Sequence, residues 1–282
     1  MNGLRYVYAV CRPFDAPLQA QVTGVAGAPV GQLPHHGLVA VVSTVPERDF
    51  AEEPLKRHLE DLDWLSDTAR GHQSVIDALT AVTTPLPLRL ATVFRDDSGV
   101  RTMLERREET LRRTLDRLDG RVEWGVKIYA ESGGGQRAAA PARPASGRDY
   151  LLQRRRRNQA HDEMWERAEK FAGRLHDLLS GRAEDSRLHP PQNSALSRES
   201  GRNVLNAAYL VSRADSEAFV ELVDRTKDEE TADGAGLRVE LTGPWAAYSF
   251  ATPAPEEASG TASDTASGTA SDTASDTGEA AP

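Results

Sequence analysis

Apolar positions in the first 120 residues fall into short continuous runs and into stripes at steps of three and four. Leu4-Arg5-Tyr6-Val7-Tyr8-Ala9-Val10 is rich in β-formers and reads as a first strand. Pro13, Pro17, Gly24, Gly27, Pro29 and Gly31 punctuate the next stretch of chain, leaving space for no long element and at most an extra strand near residue 30. His36 to Val45 is nearly apolar on both faces, as in a central strand, and Pro46 ends it. From Phe50 to about Val82 the period is helical, carried by Leu55, Leu59, Leu62 and Leu65, with Gly71 a candidate divide between two helices. Leu86 to Phe94 reads as a strand after Pro85 and Pro87. Asp96-Asp97-Ser98-Gly99 is a turn able to cap a helix over about 99–119, which Gly120 closes.

The pattern then restarts. Val122 to Tyr129 alternates as a strand, and 131–147, rich in Gly, Ala, Pro and Arg, is expected to be a flexible loop. A long helix comes next, over about 149–180; its first half carries Asn158 and His161 where the later stripe is apolar, so it is expected to project past the core. Ser186 to His189 is a short strand, Asn203 to Val211 a strand, 213–228 a helix, and Leu237 to Leu241 the last strand. This β-α-β-β-α-β order is the split, ferredoxin-like arrangement. The predicted class is α+β with two domains, 1–120 and a ferredoxin-like 121–250, followed by a disordered acidic low-complexity tail over 251–282.

Gly243-Pro244 is expected to break the last strand, and Trp245, Tyr248 and Phe250 come within six residues of each other just after it. Two readings stand: the rings cap a core, or they form an exposed patch for a partner.

Composition narrows the function classes. Of the net charge of −9, six acidic residues lie in 251–282, leaving −3 on the body, which is no footprint for nucleic acid. The single cysteine, Cys11, excludes an internal disulfide and a cysteine-rich metal site. The longest apolar stretch, Gly37 to Val45, is far short of the roughly 20 residues of a membrane span, and no signal-peptide pattern opens the chain, so a soluble intracellular protein with no lipid-membrane partner is expected.

Catalytic chemistry is scarce. There is no phosphate-binding loop, no nucleophile elbow and no zinc-protease motif. His35 and His36 are adjacent and would point to opposite faces if extended, and His58 and His72 are too far apart on one helix to share an ion. No catalytic, cofactor-binding or metal residues are therefore assigned. Arg89, His36 and Glu123 are scattered candidates for an alternative reading, a small-ligand-binding or regulatory ferredoxin-like protein. Arg154, Arg155, Arg156 and Arg157 form the one basic run. It reads as a solvated helix face pairing with Asp162, Glu163 and Glu166, as a docking patch for an acidic partner, or as a weak nucleic-acid contact.

Several segments together resemble the gas vesicle protein F/L family. Pro85-Leu86-Pro87-Leu88-Arg89-Leu90-Ala91-Thr92-Val93-Phe94 is similar to its L-P-x-R-F-G-T-V-F segment, and Glu123-Trp124-Gly125-Val126-Lys127 matches its E-W-G-V-K strand. Leu205-Asn206-Ala207-Ala208-Tyr209-Leu210-Val211 is similar to its L-N-A-A-Y-L-V, and Leu241 to Phe250 to its L-T-G-P-W-P-P-Y-S-F. Leu90-Ala91 replaces Phe-Gly and Ala246-Ala247 replaces Pro-Pro. The resemblance covers about residues 4–250. It implies two α+β domains and a minor, non-enzymatic component or assembly factor of cytoplasmic gas vesicles, without a cofactor. The partners it implies are the hydrophobic shell protein and other gas vesicle proteins, with Trp245, Tyr248 and Phe250 as candidate contacts.

Overall fold

The computed structural model describes residues 3–15, 22–130, 147–191, 201–231 and 236–251. The expected loop at 131–147 and tail at 251–282 lie almost wholly outside the described residues. The fold is mixed α+β, built on two antiparallel sheets within one compact unit.

The first sheet contains β1 (Gly3–Cys11), β2 (Val30–His35), β3 (Leu38–Pro46) and two short pieces, β4 (Leu86–Pro87) and β5 (Val93–Phe94). Its order is β2-β3-β1-β4, with β5 also on β1. From Tyr6 to Cys11 every side chain of β1 is buried. A bulge explains how the strand serves two faces. Val7 pairs with Val42 and Ala9 with Val41, so Tyr8 is an extra residue and the inside–outside alternation changes phase there. Tyr6, Tyr8, Ala9 and Cys11 accordingly share one core with Val75, Ile76 and Leu79 of α3 (Leu62–Val82). Val7 and Val10 share the other with Leu104 of α4 (Asp97–Arg106) and Leu111, Leu115 and Leu118 of α5 (Glu108–Leu118).

Four sequence expectations change here. His36 and Gly37 do not extend the strand; both have positive φ (49° and 71°) and make the β2–β3 turn. After the single turn α1 (Glu47–Phe50), the helical stretch 50–82 divides at Leu59 to Asp61, between α2 (Glu52–His58) and α3, where the Asp61 carboxylate caps α3 by accepting from Asp63 N and Trp64 N. Gly71 stays inside α3 because its bare backbone packs on Val25, whose Cα would lie 3.3 Å from an added Cβ. The strand expected over 86–94 is two two-residue pieces, since Leu88 N, Thr92 O and Ala91 N bond to β1 around a bend with φ 61° at Ala91. The helix expected over 99–119 is α4 and α5, joined at Arg107.

The second sheet holds β6 (Arg121–Ala130), β7 (Asp185–Leu188), β8 (Arg202–Ser212) and β9 (Leu237–Trp245) in the order β7-β8-β6-β9. Two helices, α6 (Gly147–Ser180) and α7 (Ser216–Thr231), join the strands. Val122, Trp124, Val126 and Ile128 of β6 meet Phe171, Leu175 and Leu179 of α6 and Phe219 and Val223 of α7 in one core. In the first half of α6 the described side chains from Arg148 to Glu163 are exposed or half-buried, Tyr150, Leu151 and Leu152 among the exposed, so that half stands clear of the core. On the opposite face of β8, Ala208 and Leu210 belong to the α4–α5 core, which ties the two sheets together.

Candidate partner-docking surface

The segment after Leu241 is placed by a bulge. β9 does not stop at Gly243-Pro244: Thr242 pairs with Gly125 and Trp245 with Glu123, so β9 spends one residue more than β6 over the same span. Gly243 has φ 132°, and an added Cβ would lie 2.9 Å from both the Glu123 carbonyl oxygen and Trp124 Cε3. Glycine is required at this close approach.

Beyond the bulge the chain turns through Tyr248–Phe250. Ala246 enters the core on the α3 side of the first sheet, whereas Ala247 and Phe250 enter the core on the α4–α5 side. The Phe250 carbonyl accepts from Arg117 Nη2 at 2.7 Å, and the Arg187 guanidinium carbon lies 5.4 Å from its ring centroid. Ser249 is held by Glu123: its backbone N donates to Oε2 at 2.8 Å and its Oγ to Oε1 at 2.7 Å. His189 Nε2 lies 3.1 Å from the same Oγ. Burial pushes the Glu123 carboxyl above its ordinary value, and the two Ser249 bonds counter this only in part.

The three aromatic residues therefore separate. Phe250, a candidate contact from sequence, is 0% exposed and is a core side chain, because the segment folds back onto the first sheet. Trp245 and Tyr248 remain 43% and 36% exposed. Tyr248 is steered by a 3.3 Å hydrogen bond from its hydroxyl to Gln73 Oε1 and lies 6.4 Å, ring to ring, from His72. Two exposed rings thus sit on a segment whose neighbours are anchored in two cores and on Glu123.

The basic run lies elsewhere, on α6. Arg154 and Arg155 are solvent-exposed; Arg156 and Arg157 belong to the helix, but their side chains lie outside the described ones. The scattered ligand candidates do not converge: Glu123 bonds Ser249, while His36 sits at the β2–β3 turn against Glu108 of α5.

Two histidine environments were missed from sequence. His72 is buried, with Nδ1 3.0 Å from the Tyr6 hydroxyl, and burial lowers it to about pKa 4. The spacing Thr68, His72, Val75, Ile76, Leu79 places it on the inward stripe of α3, a signal present in the chain. His35 and His36 do not point to opposite faces. The turn brings their rings into a stack, 4.2 Å between centroids and 12° between planes. His35 Nε2 is 2.7 Å from Glu105 Oε1, and His36 Nδ1 is 3.2 Å from Glu108 Oε2.

The family profile described as gas vesicle synthesis protein GvpL/GvpF matches residues 4–252. A gas vesicle protein L from a Streptomyces strain is 55% identical over 264 residues, covering 92% of this chain and 97% of that protein. A gas vesicle protein F from Haloferax mediterranei is 27% identical over 255 residues, covering 89% of this chain and 94% of that protein. The crystal structure of GvpF from Anabaena superposes with a TM-score of 0.65 at 19% identity, over 89% of this chain and 97% of that one, a likeness of fold. With its profile match running through both sheets and the closing segment, this chain belongs to the GvpL/GvpF family of gas vesicle synthesis proteins.

Proposed function

We propose that this chain is a non-enzymatic accessory protein of gas-vesicle formation that covers the apolar surface or strand edge of the vesicle shell subunit. Family membership supports the gas-vesicle role. The observation that carries the contact is the exposure of Trp245 and Tyr248 on a segment otherwise fixed by Ala246, Ala247, Ser249 and Phe250. A hydrophobic subunit aggregates unless its apolar face or free edge is covered, and rigid aromatic side chains supply contact area at little entropic cost. In this reading the β6–β9 half is a ferredoxin-like lobe, and its outer strands β7 and β9 are secondary contacts by strand addition. The protein acts at the vesicle, in the cytoplasm, alongside other gas vesicle proteins.

Co-expression with the shell subunit tests the proposal. The chain is expected to retain the subunit on affinity capture and keep it soluble. The double variant Trp245→Ala, Tyr248→Ala is expected to lose retention at least tenfold with an unchanged far-ultraviolet circular dichroism spectrum. Retention at the parent level would exclude this surface, and an unfolded variant would assign the two rings to the core.

A further inference from the structure

We propose that the β2–β3 turn and the α4–α5 junction form a binding site for a zinc-class divalent cation, with His35, His36 and Glu105 as ligands. One ligand atom from each of the three lies within 4.8 Å of the other two. Ligands on one tetrahedral zinc, each about 2.0–2.1 Å from it, are separated by about 3.4 Å. Side-chain rotations that tilt the two stacked rings out of parallel turn their in-plane lone pairs toward one point and close that gap at this partly exposed site. Two imidazoles and one carboxylate are the donor set of a borderline cation, not of calcium or magnesium, which take oxygen alone.

The turn geometry makes the site. Adjacent residues in an extended strand point apart, whereas positive φ at His36 and Gly37 brings the two rings face to face. The turn is held in place by Arg112, whose guanidinium donates to the His36 carbonyl and pairs with Glu108. Glu108 in turn bonds Nδ1 of His36, so Nε2 is the nitrogen this site would offer to the cation. A ligating histidine characteristically gives its other nitrogen to a carboxylate, which fixes the tautomer and raises the basicity of the ligand. Glu108 holds that supporting position. Glu105 is already 2.7 Å from His35 Nε2, so the cation takes the place of the hydrogen bond between them while the neutral imidazole carries its proton on Nδ1. His36 and Glu105 have side chains 57% and 49% exposed, so an ion can enter, and a water completes the coordination.

Bound in this way, the ion would staple the hairpin turn to the end of α4. Isothermal titration of the untagged full chain with zinc, with cobalt absorption as a second readout, tests the site. One equivalent is expected to bind, with the thermal midpoint rising on addition and falling again with chelator. His35→Ala and His36→Ala are each expected to weaken binding at least tenfold, Glu105→Gln by less, and His58→Ala not at all. His35 is half-buried and His36 and Glu105 are exposed, and circular dichroism checks that each variant keeps the parent fold. No uptake by the parent chain, or parent-like uptake by both single histidine variants, would overturn the assignment.

Discussion

The two sheets are covered differently. In the first, β1 carries six consecutive fully buried residues, Tyr6 to Cys11, because α3 lies over one face and α4 and α5 over the other. In the second, β6 alternates half-buried with buried from Arg121 to Ile128, because α6 and α7 cover one face only. Its other face is sealed where Ala208 and Leu210 meet the first sheet, while Lys127 and Asn206 stay half-buried. The lesson is that the closing segment is structural material for the junction: Phe250 and Ala247 fill a place that a helix fills elsewhere.

The sharpest way to break this comparison is to empty that place. Phe250→Ala removes a ring with no solvent exposure and is expected to cost about 3–5 kcal/mol, read as a lower urea midpoint. A cost below about 1 kcal/mol would mean that the segment does not close the junction.

Acid separates the two halves by sign. His72, between α3 and β1, has a folded value of about 4 against an ordinary 6.5, so the unfolded chain binds its proton more readily. Its contribution is complete above pH 6.5 and is lost as pH falls toward 4, a loss of roughly 3 kcal/mol. His72→Gln keeps a hydrogen-bonding side chain near Tyr6 and is expected to flatten stability over that window. An unchanged slope would show that another group governs it.

Glu123 works in the opposite sense. Its folded value is raised by burial, so the native state takes up the proton at higher pH than the unfolded chain. Stability from this group grows as pH falls through the folded value and levels off near the ordinary carboxylate value of about 4.3. Glu123→Gln lacks that gain. Relative to the parent, the variant is expected to be less stable at pH 4 than at pH 7 in urea melts, whatever the offset at neutral pH. A difference independent of pH would mean that Glu123 is not buried against Ser249.

The same contrast explains how much of the molecule was legible in the chain. Strands with a strong apolar signature, β1, β6 and β8, could be read within a residue or two, since burial of one or both faces writes itself into the period. The elements that were misread are decided by contacts remote in sequence. Gly71 stays helical because of Val25, the 86–94 strand is broken by bonds to β1, and β9 passes Gly243-Pro244 by bulging against Glu123. Local residue types carry no record of such neighbours. For the same reason Trp245, Tyr248 and Phe250 could be recognised as a group but not sorted. The stack of His35 on His36 was likewise hidden by reading the pair as strand when it opens a turn.

The smallest expected effect on stability is also the most informative about docking. Trp245 lies five residues before Phe250 on the same segment, yet it is 43% exposed and pairs with Glu123 through its backbone, which any side chain can do. Trp245→Ala should therefore cost about 1 kcal/mol or less, because the area it buries is partial and no cavity is left enclosed. A urea midpoint close to the parent's, together with weakened capture of the shell subunit, would separate the two roles within six residues. A loss approaching that of Phe250→Ala would instead make Trp245 part of the junction, leaving Tyr248 as the segment's exposed ring.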